Sequence, residues 1–440
     1  MSEPPRMAAS VLPGKSPTGA RLMVDPRWRA AHLLLAPHRL GFFLAMGVLT
    51  GAGVWWALVQ LDRVSGLLSL PYALSPSLVH GVVMTFGFLP LFFSGFLFTA
   101  GPKWLAVAPP AARQVMAPLL LQGGGWLLWL TGAHLHGLTA LAGLVLACTG
   151  LSWVTLMFWR LIRRSRAEDQ LHARSVGVAC VVGCVSLAGV ALSLFLGLPA
   201  LARAWVLTGL WGFVVVVYMV VAHRMIPFFT SSAMPLIDAW RPFWALWLML
   251  AVAAGEVIAV WVEWQGPPQG LAGAWWMAVR GSLELAAGGV LLWLAVIWGL
   301  VQSLKNRLLA MLHIGFVWLG LALLLGGLSQ WLGWAQGAPV LALGSLHALT
   351  MGCLASLMLA MVTRVSCGHS GRALVADGRV WALFWLLQAA TLLRLGAAAQ
   401  SPWAAWLLLA AAMLWAAVML AWGGRLANWY GRPRTDGRSG

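Results

Sequence analysis

Charge is scarce in this chain. Of its 440 residues only 9% are Asp, Glu, Lys or Arg, against 61% that are hydrophobic. A soluble domain carries roughly 25% charged residues, so an ordinary wet surface is excluded. No hydrophilic stretch is long enough to fold as a separate soluble domain, so one membrane domain is expected. Cysteine is sparse too, with only Cys148, Cys180, Cys184, Cys353 and Cys367. There is no CxxCH, so covalent c-type haem is not signalled. Cys180 and Cys184 share a helix face, where packing weighs more than a metal pair. No cationic, apolar, small-residue cleavage pattern opens the chain. Residues 1–35, Pro-rich and polar at the start, read as a disordered cytosolic tail.

Long apolar runs recur throughout. A spanning helix needs about 20 such residues. Twelve are expected, near 40–61, 76–100, 115–132, 137–159, 175–197, 204–222, 242–262, 281–303, 308–328, 339–363, 380–398 and 403–423. The fold class is therefore all-α, a polytopic membrane bundle of about twelve transmembrane helices within residues 36–425. A basic cytosolic tail, 426–440, follows.

The formal charge of +17 needs no nucleic-acid partner. With the N-terminus inside, the 28 Lys and Arg residues fall on inner segments except for Arg63, Arg203, Arg280 and Arg394. Basic residues collect on cytoplasmic loops, so both termini are expected in the cytoplasm. The 29 tryptophans supply interfacial belts and, as at Trp293 and Trp318, packing within spans.

Ionisable groups inside the bilayer are expensive and usually functional. The expected depths give two layers. His80 and His347 lie in the outer third to half. His223, at the end of the sixth span, and His313, near the start of the ninth, lie on the inner side. Met84 and Met351 follow His80 and His347 by four residues, which puts each methionine on its histidine's helix face. Imidazole with thioether suits haem iron or copper. The competing reading of each histidine is a hydrogen bond to a neighbouring carbonyl. Glu256, in the outer half of the seventh span, is a candidate proton carrier or partner for an outer histidine. Glu284 reads as an interfacial residue free to snorkel. His134 and His136 sit in a short outer loop, and His32, His38, His172 and His369 in inner basic segments, all expected to be solvated or among headgroups.

Three stretches resemble the NnrS family of bacterial membrane proteins. From His80, the chain runs through Phe86-Gly87-Phe88 to Ser94-Gly95-Phe96-Leu97-Phe98-Thr99-Ala100-Gly101-Pro102-Lys103-Trp104. This is similar to the family's histidine-rich opening, FGF and GFLLTAVPNW. His223-Arg224-Met225-Ile226-Pro227-Phe228-Phe229-Thr230 is similar to GGRMIPFFT. Leu346-His347-Ala348-Leu349-Thr350-Met351-Gly352, with Met361-Val362-Thr363-Arg364-Val365-Ser366-Cys367-Gly368-His369-Ser370-Gly371-Arg372, resembles HALTVG…MTRVSLGHTGR. Leu312-His313-Ile314-Gly315-Phe316 resembles a shorter LHLGY element. The resemblance spans roughly residues 35–425. It implies a multi-pass protein of the bacterial inner membrane that binds haem and copper and handles nitric oxide or resists nitrosative stress in denitrifying-type metabolism. The family's HAHE is here His80-Gly81-Val82-Val83, so its second histidine and glutamate are missing, which counts against copper.

The leading expectation is a haem protein with His80 and His347 as axial ligands. His313 and His223 serve a second, inner centre, and Arg224 and Arg364 face haem propionates. The alternative is a twelve-helix transporter or sensor using the same histidines for protons or substrate, with Pro90 as a helix break. An oxidase-like haem-copper reductase is a third reading, opposed by the lack of any adjacent His-His pair.

Overall fold

The computed structural model describes residues 27–437, apart from 235, 237, 267, 338–339 and 400. It is 82% helical, with no strand among the described residues. Twelve helices succeed one another: α1 Pro37–Ser65, α2 Pro76–Leu97, α3 Ala112–Leu135, α4 Gly137–Arg164, α5 Leu171–Phe195, α6 Pro199–Ala233, α7 Phe243–Gln265, α8 Gly270–Ile297, α9 Arg307–Gln336, α10 Leu343–His369, α11 Gly378–Ala399 and α12 Ala404–Tyr430. Eleven are long and apolar enough to cross a bilayer. The exception is α3, whose 24 residues suffice in length but include Arg113, Gln114, Gln122 and His134.

Packing shows that α3 must also cross. Arg39, at the start of α1, donates from Nη1 to the carbonyls of Tyr430 (3.2 Å) and Arg432 (2.8 Å). Both ends of the bundle therefore lie at one face, which requires an even number of crossings. We call this the terminal face and its opposite the far face. α3 and α4 meet along the most extensive helix pair in the fold. Backbones approach so closely there that a Cβ on Gly125 would sit 2.6 Å from the Gly143 carbonyl. Small residues allow such contact between membrane helices.

Three spans are irregular. α2 breaks at Gly87–Phe88 and restarts at Leu89, because Pro90 lacks an N–H and its ring crowds the carbonyl four residues back. α6 carries a π-helical segment, Leu210–Val215, and α10 another, Ala348–Ala355, immediately after His347. Such segments cluster at functional sites.

Several expected boundaries move: α9 runs on to Gln336, α12 runs on to Tyr430 and so takes up the first residues of the expected tail, and two further shifts bear on the site. α6 continues past His223 to Ala233 with Pro227 inside it. α8 begins at Gly270 and ends at Ile297, followed by Gly299 in the left-handed region (φ 95°). Arg280 and Glu284 consequently lie deep in α8, not at its outer end.

Of the expected N-terminal tail, residues 1–26 lie outside the described residues. The remainder is folded: Trp28 Nε1 donates to the Ala427 carbonyl (3.3 Å), and Ala30–Leu34 forms a short 3-10 helix beside α1.

Candidate functional site

At the far face, His80 and His347 are each the fifth residue of their helix. They share a depth, and the start of α10 packs against α11, which carries Arg394. Both imidazoles are half-buried. His347 Nδ1 lies 2.8 Å from the Leu343 carbonyl. A carbonyl can only accept, so Nδ1 carries the hydrogen and Nε2 presents a bare lone pair. Metal-ligating histidines usually have this arrangement, one N–H tied to a carbonyl and the other nitrogen free. His80 stacks on Trp56 (ring centres 3.9 Å apart, planes at 18°), and its buried Nδ1 has no partner. Arg63 lies over the same indole, 5.3 Å from its centre.

A polar network joins α9, α10 and α11 along the π-helical segment that follows His347. Trp318 Nε1 donates to Gln388 Oε1 (2.8 Å), and Gln388 Nε2 donates to Ser356 Oγ (2.9 Å). Trp318 also packs on Gly352, where a Cβ would sit 2.5 Å from the indole. Met84 and Met351 are both half-buried. Met84 keeps its α-helical spacing from His80. The π-helical turn after His347 moves the stacked position from the fourth residue towards the fifth, so that spacing does not hold for Met351.

Nearer the terminal face, His223 is fully buried and both its nitrogens are engaged. Nε2 donates to the Pro242 carbonyl (3.1 Å), so Nδ1 accepts, and its donor is His172 Nε2 at 3.1 Å. The free lone pair of that stacked pair is His172 Nδ1, buried and without a partner. His172 was expected to be solvated. It is instead 2% exposed, because α5 begins at Leu171 and carries it inside. Thr230 Oγ1 donates to the Ile226 carbonyl (2.9 Å) and accepts from His313 Nε2 (3.0 Å), so His313 Nδ1 is likewise a buried bare lone pair. Arg224 and Arg364 form no ion pair among the described residues. Their guanidinium groups lie over Trp104 (5.2 Å) and Phe229 (4.0 Å).

The family model for NnrS protein matches residues 32–434. The chain belongs to the NnrS family. Membership marks it as a membrane protein related to nitric oxide. No curated protein matches it significantly. This NnrS chain keeps its signature histidine at 347 beside the α10 π segment, and its Arg364 faces the Phe229 of the RMIPFFT stretch.

Glu256 partners no histidine. Arg280 of α8 binds it at 2.8 Å, binds Glu284 at 2.7 Å, and reaches Glu263 as well. Glu284 is 7% exposed, so the snorkelling expectation fails with the shifted α8 boundary. His134 clamps the far-face loop: Nδ1 donates to the Pro71 carbonyl (2.7 Å) and Nε2 accepts from Trp55 Nε1 (2.7 Å). At the terminal face His38 is 2% exposed and packs on His369 with ring centres 4.4 Å apart, so His38 is not solvated either. Sequence reasoning missed Trp56, Arg63 and Arg394 around His80 and His347. Their signal was present: Arg63 and Arg394 are two of the four exceptions to the charge asymmetry.

Proposed function

We propose that this protein is a haem-binding protein of the bacterial inner membrane that acts in nitric oxide metabolism and resistance to nitrosative stress. The observation that carries this reading is His347. Its Nδ1–H is fixed on the Leu343 carbonyl and its Nε2 lone pair is left free, at the same depth of the bundle as His80. His80 and His347 would hold the iron. Haem, when bound, would supply an iron that exchanges an electron with nitric oxide, or that binds it in place of one of the two histidines. Trp56 fixes the His80 ring by stacking. Arg63, over Trp56, and Arg394, on α11 against the start of α10, bring positive charge to this end of the bundle, which suits propionate carboxylates.

A second centre near the terminal face would draw on different atoms from those the sequence suggests. His313 Nδ1 and His172 Nδ1 are free, whereas His223 must give up a hydrogen bond to bind a metal. Arg224 and Arg364 would serve propionates there. Copper has less support than haem: among the described residues there is no group of three or more His, Cys, Asp or Glu side chains that could hold a metal ion. The helix-2 histidine and glutamate that the family carries are also missing.

The optical spectrum of purified protein in detergent tests the proposal. A Soret band is expected, lost in His347→Ala and kept in His134→Ala. A folded, colourless preparation that takes up no added haem overturns it. That outcome would favour a transporter or sensor, a reading supported by the interrupted helices α2, α6 and α10.

A further inference from the structure

A groove of about 690 Å³ runs along the outside of α4 and α5, away from every histidine discussed above. Val145, Trp153 and Leu156 line it from α4, Ala188 and Ala191 from α5, and Arg160 stands at its terminal-face end. Val145, Trp153 and Leu156 are exposed, and nothing in the fold covers them. From Val145 to Arg160 the groove extends about 22 Å at 1.5 Å per residue. That exceeds one leaflet of a hydrocarbon core about 30 Å thick.

Most of its polar groups are already engaged. Thr149 Oγ1 donates to the Val145 carbonyl (2.8 Å), Cys148 Sγ donates to the Cys184 carbonyl (3.8 Å), and Cys184 Sγ lies 3.4 Å from Thr155 Oγ1. The walls therefore offer a ligand apolar contact and little hydrogen bonding, which suits an acyl chain better than a polar ring. The mouth is different. Arg160, Arg163, Arg164 and Arg166 are exposed and form no ion pair among the described residues, and only Glu168 and Asp169 lie nearby in sequence to oppose them. Basic pockets between membrane helices bind anionic headgroups.

We propose that this groove seats one anionic phospholipid, its phosphate held by Arg160 with Arg163 and Arg164, and one acyl chain laid between α4 and α5. The apolar length and the cationic mouth are both needed: the length excludes a free anion as the natural occupant, and the charge excludes a zwitterionic lipid.

Native mass spectrometry of the full-length protein in detergent is the test, with phosphatidylglycerol, phosphatidylcholine or inorganic phosphate added separately. A retained phosphatidylglycerol adduct is expected, with phosphatidylcholine stripped and phosphate unable to compete at equal concentration. Arg160→Ala and Arg163→Ala should each weaken retention roughly fivefold. Ala188→Phe, at an exposed position, fills the groove and should remove the adduct while every arginine remains. Equal retention of the two lipids, displacement by phosphate, or an unchanged adduct in monodisperse Ala188→Phe protein overturns the assignment. None of these results depends on haem.

Discussion

Replacing Arg280 with methionine tests whether the ion cluster between α7 and α8 is dry. The guanidinium leaves, and Glu256 and Glu284, 8% and 7% exposed, must either hold their charge with no cation beside them or take up protons, and both cost stability. Removing one partner of a buried ion pair typically costs about 3–5 kcal/mol. At roughly 2.1 cal/mol/K of unfolding entropy per residue, a chain of 440 residues shifts its midpoint by about 1 °C per kcal/mol. The expected fall is therefore about 3–5 °C if the chain unfolds as a unit, and larger if α7 and α8 separate first. The assay is the fraction of monodisperse protein that survives heating in detergent. Adding Glu256→Gln and Glu284→Gln removes the stranded charges while keeping hydrogen-bonding groups, and should recover most of the loss. Arg280→Met protein within about 0.5 kcal/mol of the parent would refute the burial argument, because it would mean that water reaches the carboxylates. A triple variant no better than the single one would show that Arg280 acts by packing and not by charge.

Other perturbations follow from the same geometry. Thr230→Val strands the buried His313 Nε2–H and should lower thermal stability by about 1–3 kcal/mol, whereas Thr230→Ser should not. Gly125→Ala forces α3 away from the Gly143 carbonyl, and about 1–3 kcal/mol of stability should be lost; no change would mean that the helices are less tightly packed. Asp377 caps α11 by accepting from Val380 N (3.0 Å), and its bond to Arg425 holds its carboxyl down at about 2. A lowered folded pKa stabilises above the ordinary carboxylate range and loses that effect as pH falls through about 2. Asp377→Asn keeps the cap but loses the charge, so its first-turn amides should exchange faster at pH 7 and match the parent near pH 2. Asp377→Ala should exchange faster at both, by hydrogen-exchange mass spectrometry.

The helix count and the common face of the chain ends were legible in the sequence, because apolar length and arginine placement are one-dimensional signals. What was legible of His80 and His347 was their shared depth. That depth survives because both helices start four residues before the histidine. What sequence could not supply were lateral neighbours. His172 looked like a residue of a basic loop, yet the fold turns it inward onto His223. Glu256 looked free for a histidine until the α8 helix proved to begin at Gly270, bringing Arg280 opposite it. His223 looked like the end of a helix, because the apolar run of the sixth span stops there; packing against α7 and α9 carries α6 onward.

The clasp between the chain ends also constrains biogenesis. Arg39 is 2% exposed, and the acceptors of its guanidinium are the Tyr430 and Arg432 carbonyls. α1 enters the bilayer early in synthesis, and α12 leaves the ribosome nearly four hundred residues later. Throughout that interval Arg39 must stay at the aqueous edge or be shielded by another protein. The bundle cannot close until the last helix arrives. A nascent chain stalled before α12 would display an unsatisfied cation at its first helix, a ready mark for membrane quality control.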